Sequence, residues 1–230
     1  DDERIGIYSG NEITQFNDTK LIVYNEKTQK VEKGFISIPR DMEQRYANFF
    51  DQNNFLTYKD SLLFFYSFND TIYNFTKDNL TPRMHISFGG NSVPKDFLER
   101  GYQNVQVFME QVRKTDYAFK IAGYQETESF ITFIFEHAGR FKLAYYNKKN
   151  GKQKIAHNLQ DDLLIKGLNL DNLRANGPYT TTEKGEVVFV VEAPVLKEAV
   201  LKYKNSLSTE EWEKLKSYNE RLRKIIIYLD

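Results

Sequence analysis

Phe141-Lys142-Leu143-Ala144-Tyr145-Tyr146-Asn147 runs into Lys148-Lys149-Asn150-Gly151-Lys152. An apolar stretch there ends on a polar turn whose Asn-Gly pair supplies the positive φ angles of a tight hairpin. The return stretch reaches Ile155. The same unit stands earlier: Lys20-Leu21-Ile22-Val23-Tyr24-Asn25 leads through Glu26-Lys27-Thr28-Gln29-Lys30 to a second stretch from Val31 to Ile38. A looser copy is Asp70-Thr71-Ile72-Tyr73-Asn74-Phe75, with a turn from Thr76 to Asn79 and a return strand from Met84 to Phe88. Tyr-Asn closes the first strand of each copy, at 24/25, 73/74 and 146/147. Tyr24 and Tyr73 lie 49 residues apart, near the length of one four-stranded propeller blade.

Ahead of two hairpins lie strands that are apolar almost without a break, Leu62 to Tyr66 and Phe130 to Phe135, and Val187 to Val191 reads the same way. A strand facing water on one side alternates, so continuous runs predict strands covered on both faces. Each is preceded by a weaker candidate, Asn54 to Tyr58, Tyr117 to Tyr124 and Pro178 to Thr182. The order weak strand, buried strand, hairpin predicts an all-β, β-propeller-like fold. It consists of stacked four-stranded antiparallel sheets, about four blades in one domain over residues 1–230.

Two short helical insertions interrupt the strands. Near 94–114, Val105, Phe108, Met109 and Val112 fall at i, i+3, i+4 and i+7, so Gly101 to Lys114 carries an amphipathic helix. Near 194–222, Leu196, Ala199, Val200 and Tyr203 make one such face. Ser208-Thr209-Glu210-Glu211 there offers a capping box for another helix bearing Trp212, Leu215 and Leu222. Lys224 to Leu229 reads as a last strand, suited to pairing with a sheet left open elsewhere.

The composition fits this. Phe and Tyr number 18 and 15, aromatic residues make up 15% of the chain and apolar residues 40%, enough for a packed core. Basic and acidic residues balance at 32 each, so no net field draws the chain to nucleic acid. No apolar run reaches the roughly 18 to 20 residues of a membrane-spanning helix. Asp1-Asp2-Glu3-Arg4 lacks the basic and apolar regions of a signal peptide. The absence of cysteine excludes disulfides, thiolate zinc sites, iron–sulfur clusters and cysteine nucleophiles.

From roughly Lys20 to its end the chain resembles the C-terminal part of the six-bladed β-propeller lipoproteins common in Bacteroidetes. The resemblance rests on Phe68-Asn69-Asp70-Thr71-Ile72-Tyr73, on Pro82-Arg83 leading to Ile86-Ser87-Phe88-Gly89, on Val93-Pro94-Lys95-Asp96-Phe97, and on the hairpin from Tyr145 to Ile155. It implies a place in the bacterial cell envelope, periplasm or outer surface, with a lipid anchor outside this chain. Six blades of about 45 residues need roughly 270 residues, more than this chain offers. Either N-terminal blades are missing from it, or the ring is built differently, with an open blade edge available for oligomerisation.

The titratable residues form no catalytic pattern along the sequence. His85, His137 and His157 are isolated, without the i+4 partner of a helical metal site, and read as packing or surface residues. Asp161-Asp162 reads as a solvated turn and Glu210-Glu211 as first-turn charges complementing a helix dipole. Gly89-Gly90-Asn91 belongs to no phosphate-binding pattern. Asn17, Asn69, Asn74 and Asn79 begin Asn-x-Ser/Thr triplets and read as turn and strand residues. Tyr145-Tyr146 and Phe49-Phe50 read as core, and Lys148-Lys149 and Arg221 to Lys224 as solvated charges. No residue is assigned to catalysis, to a cofactor or to a metal, and the ligand-binding residues stay open.

These observations point to a non-enzymatic binding or interaction module with a protein or glycan ligand. The alternative is a carbohydrate-active hydrolase or lyase, which requires carboxylates, or a histidine with a carboxylate, converging at one end of a propeller channel. A third reading is a structural subunit that pairs through an open blade edge.

Overall fold

The structure, a computed structural model, describes residues 3–10, 18–38, 53–157, 160–161, 168–169, 178–182, 186–192, 198, 201–202, 208–210 and 224–229. The fold is all-β and propeller-like, built of antiparallel sheets. The chain divides into two compact units, Asp1–Ala122 with His137–Gly139, and Gly123–Glu136 with Arg140–Asp230.

The first unit holds two sheets. One has the order β1 (Arg4–Tyr8), β2 (Thr19–Asn25), β3 (Lys30–Ser37). The other is a four-stranded meander of β4 (Phe55–Tyr58), β5 (Ser61–Phe64), β6 (Thr71–Phe75) and β7 (Leu80–His85). Because strand side chains alternate between faces, Leu21 and Val23 of β2 share one face, and they pack with Phe64 and Phe75 in one core. Tyr8, Phe35 and Phe55 close around it, with Phe35 edge-on to Phe75 at 5.9 Å. Leu63 and Phe64 are neighbours in sequence, face opposite ways and are both fully buried. The covering expected on both faces of this strand is therefore present, with the sheet of β2 on the Phe64 side. Each such side chain contributes about 1.5–3 kcal/mol by leaving water.

A second core in this unit belongs to the helical insertion. Asn104 caps α2 (Val105–Arg113), its side chain accepting from Val107 N at 3.0 Å. The helix starts there rather than at Gly101, and its buried face is Phe108 and Val112, as the spacing predicts. Phe97, on the one-turn helix α1 (Lys95–Leu98), packs with Phe108, Val112, Tyr102 and Phe119.

The strand β8 (Ala118–Glu126) begins in the first unit and ends in the second. It opens a second four-stranded meander with β9 (Phe130–His137), β10 (Arg140–Asn147) and β11 (Gln153–Ala156). Residues 131–136 of β9 are buried without a break, which is the two-sided covering expected of this run. Further along are the two-residue strands β12 (Gln160–Asp161) and β13 (Leu168–Asn169), and a sheet of β14 (Pro178–Thr181), β15 (Val187–Glu192) and β16 (Lys224–Leu229). The last strand pairs antiparallel with β15, from Val187↔Leu229 to Glu192↔Lys224, so the C-terminal strand does complete an open sheet. The insertion near 194–222 lies mostly outside the described residues, within which Glu198, Leu201, Lys202, Thr209 and Glu210 are helical.

The hairpins share one device. Asn25 Oδ1 accepts from the backbone N–H of Lys27 and Thr28 at 3.0 and 2.9 Å, and Asn147 Oδ1 accepts from Lys149 and Asn150 at 2.9 and 3.2 Å. Each asparagine thus folds the next two residues back on itself and ends its strand. The loops have four residues, and the last of each takes a positive φ, +53° at Gln29 and +69° at Gly151. This corrects the reading that Asn150-Gly151 supplies the positive φ angles of the turn as a pair, since of the two only Gly151 is left-handed.

The third copy also differs from expectation. Asn74 lies inside β6 opposite Thr81, and the turn is closed two residues later by Thr76, whose Oγ1 accepts from Asn79 N at 2.9 Å. The return strand therefore begins at Leu80 rather than Met84. Thr127 and Thr182 cap the turns after β8 and β14 in the same manner.

Candidate functional site

Three short segments of the first unit enclose a cleft of about 90 Å³. Phe68, Asn69 and Asp70 come from the connection between β5 and β6. Phe88, Ser92 and Val93 flank a single 3-10 turn at Gly89–Asn91, and Ala118 to Ile121 open β8. The volume corresponds to roughly three waters at liquid density. It suits one edge of a small ring or a terminal group.

Local chemistry sets each segment. Asn69 donates from Nδ2 to Thr71 O at 2.8 Å, tying the corner before β6. Gly89 turns the chain at φ +60°. Asn91 Nδ2 holds Asp116 through its carbonyl at 2.6 Å and its carboxylate at 2.7 Å, and Ser92 bridges Ala118 in parallel. The second segment is thereby moored to the third.

Two lining residues hold backbones that side-chain-bearing residues rarely adopt: Phe68 at φ +60° and Lys120 at φ +63°. Each such conformation costs on the order of 1–3 kcal/mol and persists only where the surroundings over-determine it, most often at functional sites. At Phe68 the cause is visible. Its ring lies parallel to Phe119, 7° between planes and 5.4 Å between centroids, and meets the edge of Phe108 at 5.0 Å. The Lys120 side chain makes no hydrogen bond or ion pair among the described residues, nor does the Ser92 hydroxyl.

The opposite charge in the lining is engaged: Asp70 Oδ2 lies 2.9 Å from His85 Nε2 and Asp70 Oδ1 accepts from Thr71 Oγ1 at 3.3 Å. Beside the cleft, His137 Nε2 sits 2.8 Å from Asp116 Oδ1, out of line for a hydrogen bond. Two of the histidines read as isolated therefore each meet an aspartate in space. His157 lies exposed in a bend. Among the described residues no three or more His, Asp or Glu side chains converge as a metal site would require.

The other residues weighed in the sequence have structural places. Asp161 lies in β12, and Glu210 is helical, while Asp162 and Glu211 lie outside the described residues, as do Asn17, Phe49-Phe50 and residues 221–223. Asn79 closes the turn after β6. Tyr145 stacks on Phe130 at 5.4 Å, as a packing residue. Lys148 is corrected: its ammonium reaches the buried Glu126 at 2.6 Å and Thr127 O at 2.6 Å, so it is an internal ion rather than a solvated turn charge.

The cleft itself went unread in the sequence, yet its signal was partly there. Phe68-Asn69-Asp70, Phe88 and Val93 all stand in the motifs that carried the family resemblance, where they looked like scaffold. Phe119 and Lys120 carry no such mark, because a left-handed lysine inside a strand has no sequence signature.

Comparison with known proteins places these observations. The model of a family described as a domain of unknown function, DUF4934, matches residues 1–229. A crystal structure from Bacteroides fragilis NCTC 9343, of a protein described as a "putative exported protein", is similar in fold with a TM-score of 0.65 at 13% identity. The similarity covers 94% of this chain, which spans 59% of that protein's length. No curated protein matches.

Proposed function

This chain belongs to the DUF4934 family, and from that premise we propose that it is a non-enzymatic binding module of the bacterial cell envelope that holds its ligand in the first unit's cleft. The observation that carries the reading is Lys120, a charged side chain without a partner among the described residues, on a strained backbone that lines an aromatic cleft. Strain at such a place supports a role outside folding. Aromatic surfaces with a few convergent polar groups are how small-ligand sites are built. The envelope location draws on the description of the Bacteroides fragilis neighbour as exported. Among the described residues no helix is long and apolar enough to cross a membrane. We read the repeated meanders as blades of a larger, six-bladed ring of a lipoprotein, which the two four-stranded sheets support.

The test is saturation-transfer NMR of the purified protein against mono- and oligosaccharides and short peptides, with product analysis of the same mixtures. Saturable binding without turnover fits the proposal; turnover at a measurable kcat overturns it.

One observation favours the carbohydrate hydrolase or lyase reading: the Asp70–His85 pair at 2.9 Å, with Asp70 in the cleft lining. A histidine held by a carboxylate is a recognised acid–base unit. That reading requires turnover abolished in Asp70→Asn, and a wild-type protein that leaves every glycan intact refutes it.

A further inference from the structure

We infer that the cleft selects an acidic sugar, a hexuronate ring whose carboxylate pairs with Lys120, so that the ligand is a uronate-bearing glycan end. The inference rests on the binding reading above and names its ligand class.

Of the two ionisable residues in the lining, Asp70 is already engaged by His85 and Thr71, whereas Lys120 has no partner among the described residues. An anion brought to this ammonium by a ligand supplies the charge partner that the described residues do not. A carboxylate suits this single point charge. The Ser92 hydroxyl, also without a partner among the described residues, adds a hydrogen bond to a carboxylate or ring hydroxyl.

Shape supplies the rest of the ligand. Phe68 and Phe88 offer apolar surface at the cleft, and the C–H face of a pyranose packs on such surface while its hydroxyls turn to polar neighbours, here Asn69 and Asp70. The limited volume takes one edge of a single terminal ring rather than a chain. A neutral hexose presents the same edge and leaves Lys120 without its anion.

The strained backbone makes a clean test available. Glycine occupies φ +63° without steric cost, so Lys120→Gly removes the ammonium while easing the main chain. Isothermal titration at low salt compares methyl glucuronide and methyl galacturonide with the matching neutral glycosides, on wild type, Lys120→Gly and Lys120→Met. The expected result is a uronate preference of about tenfold or more in wild type, weakened by added salt. That preference falls to within about twofold in both variants, with the melting temperature of Lys120→Gly equal to or above wild type. Neutral glycosides that bind as tightly as uronates, or a preference that survives in Lys120→Gly, overturn the inference and leave the binding reading standing. Failure of every glycoside to bind overturns the inference and also counts against the cleft as the binding site.

Discussion

Replacing Lys148 by methionine keeps the length of the side chain and deletes its charge. In the native chain the ammonium contacts Glu126 Oε1 at 2.6 Å and Thr127 O at 2.6 Å. Glu126 keeps only 4% of its side-chain surface in water, and its other oxygen accepts from the buried Tyr124 hydroxyl at 2.9 Å. Without Lys148 the buried carboxylate loses its ammonium partner and keeps the Tyr124 hydroxyl. Removing one partner of a fully buried pair costs about 3–5 kcal/mol. Lys148 retains 23% exposure, so water replaces part of what is lost and the estimate falls to about 2–3 kcal/mol.

Urea denaturation followed by circular dichroism at pH 7 measures this directly. The double variant Lys148→Met with Glu126→Gln recovers at least about 1.5 kcal/mol relative to additivity, because the neutral amide still accepts from Tyr124. A cost below about 1 kcal/mol, the range of exposed ion pairs, refutes the reasoning.

Three further perturbations follow from single residues. Gln29→Gly places glycine where Gly151 stands in the matching hairpin, so relief of φ +53° stabilises the chain by about 0.5–1 kcal/mol in chemical denaturation; a loss of stability contradicts the shared turn geometry. Gly6→Ala puts a Cβ 2.5 Å from Phe75 Cε1, a ring already packed by Phe35 and Phe55, and costs about 1–3 kcal/mol, whereas an unchanged melting temperature contradicts the close packing of the two sheets. Burial lowers the Lys20 ammonium to about 8. The folded chain thus sheds this proton before the unfolded chain does, and stability rises by about 2 kcal/mol between pH 8 and pH 10 relative to Lys20→Met; parallel pH profiles exclude it.

What was legible in the sequence follows from physical range. Continuous runs such as Ile131 to Phe135 announce two-sided burial because hydrophobic pattern is a local record of what covers each face. The Asn25 and Asn147 turns were legible because an asparagine side chain acts on backbone two and three residues away. Asn74 misled because the same Tyr-Asn pair falls inside a strand when a threonine two residues on closes the turn. The first strand, Arg4 to Tyr8, escaped notice because it is short and carries Gly6 where Phe75 leaves no room for a side chain.

The cleft was harder to read. Phe68 and Phe119 lie far apart in sequence yet stack directly, with Phe108 of the helical insertion against the Phe68 ring. The Lys148–Glu126 pair was hidden for the same reason: a lysine in a turn looks solvated until the neighbouring strand places a buried acid beside it.

The central claim, that the cleft is where this protein meets its ligand, is tested most directly by an amide ¹H–¹⁵N NMR map recorded during titration with a uronate-ended oligosaccharide. The account predicts saturable shifts concentrated at Asn69, Asp70, Ser92, Phe119 and Lys120. Saturable binding that leaves those five amides unmoved and shifts residues of the second unit instead contradicts it.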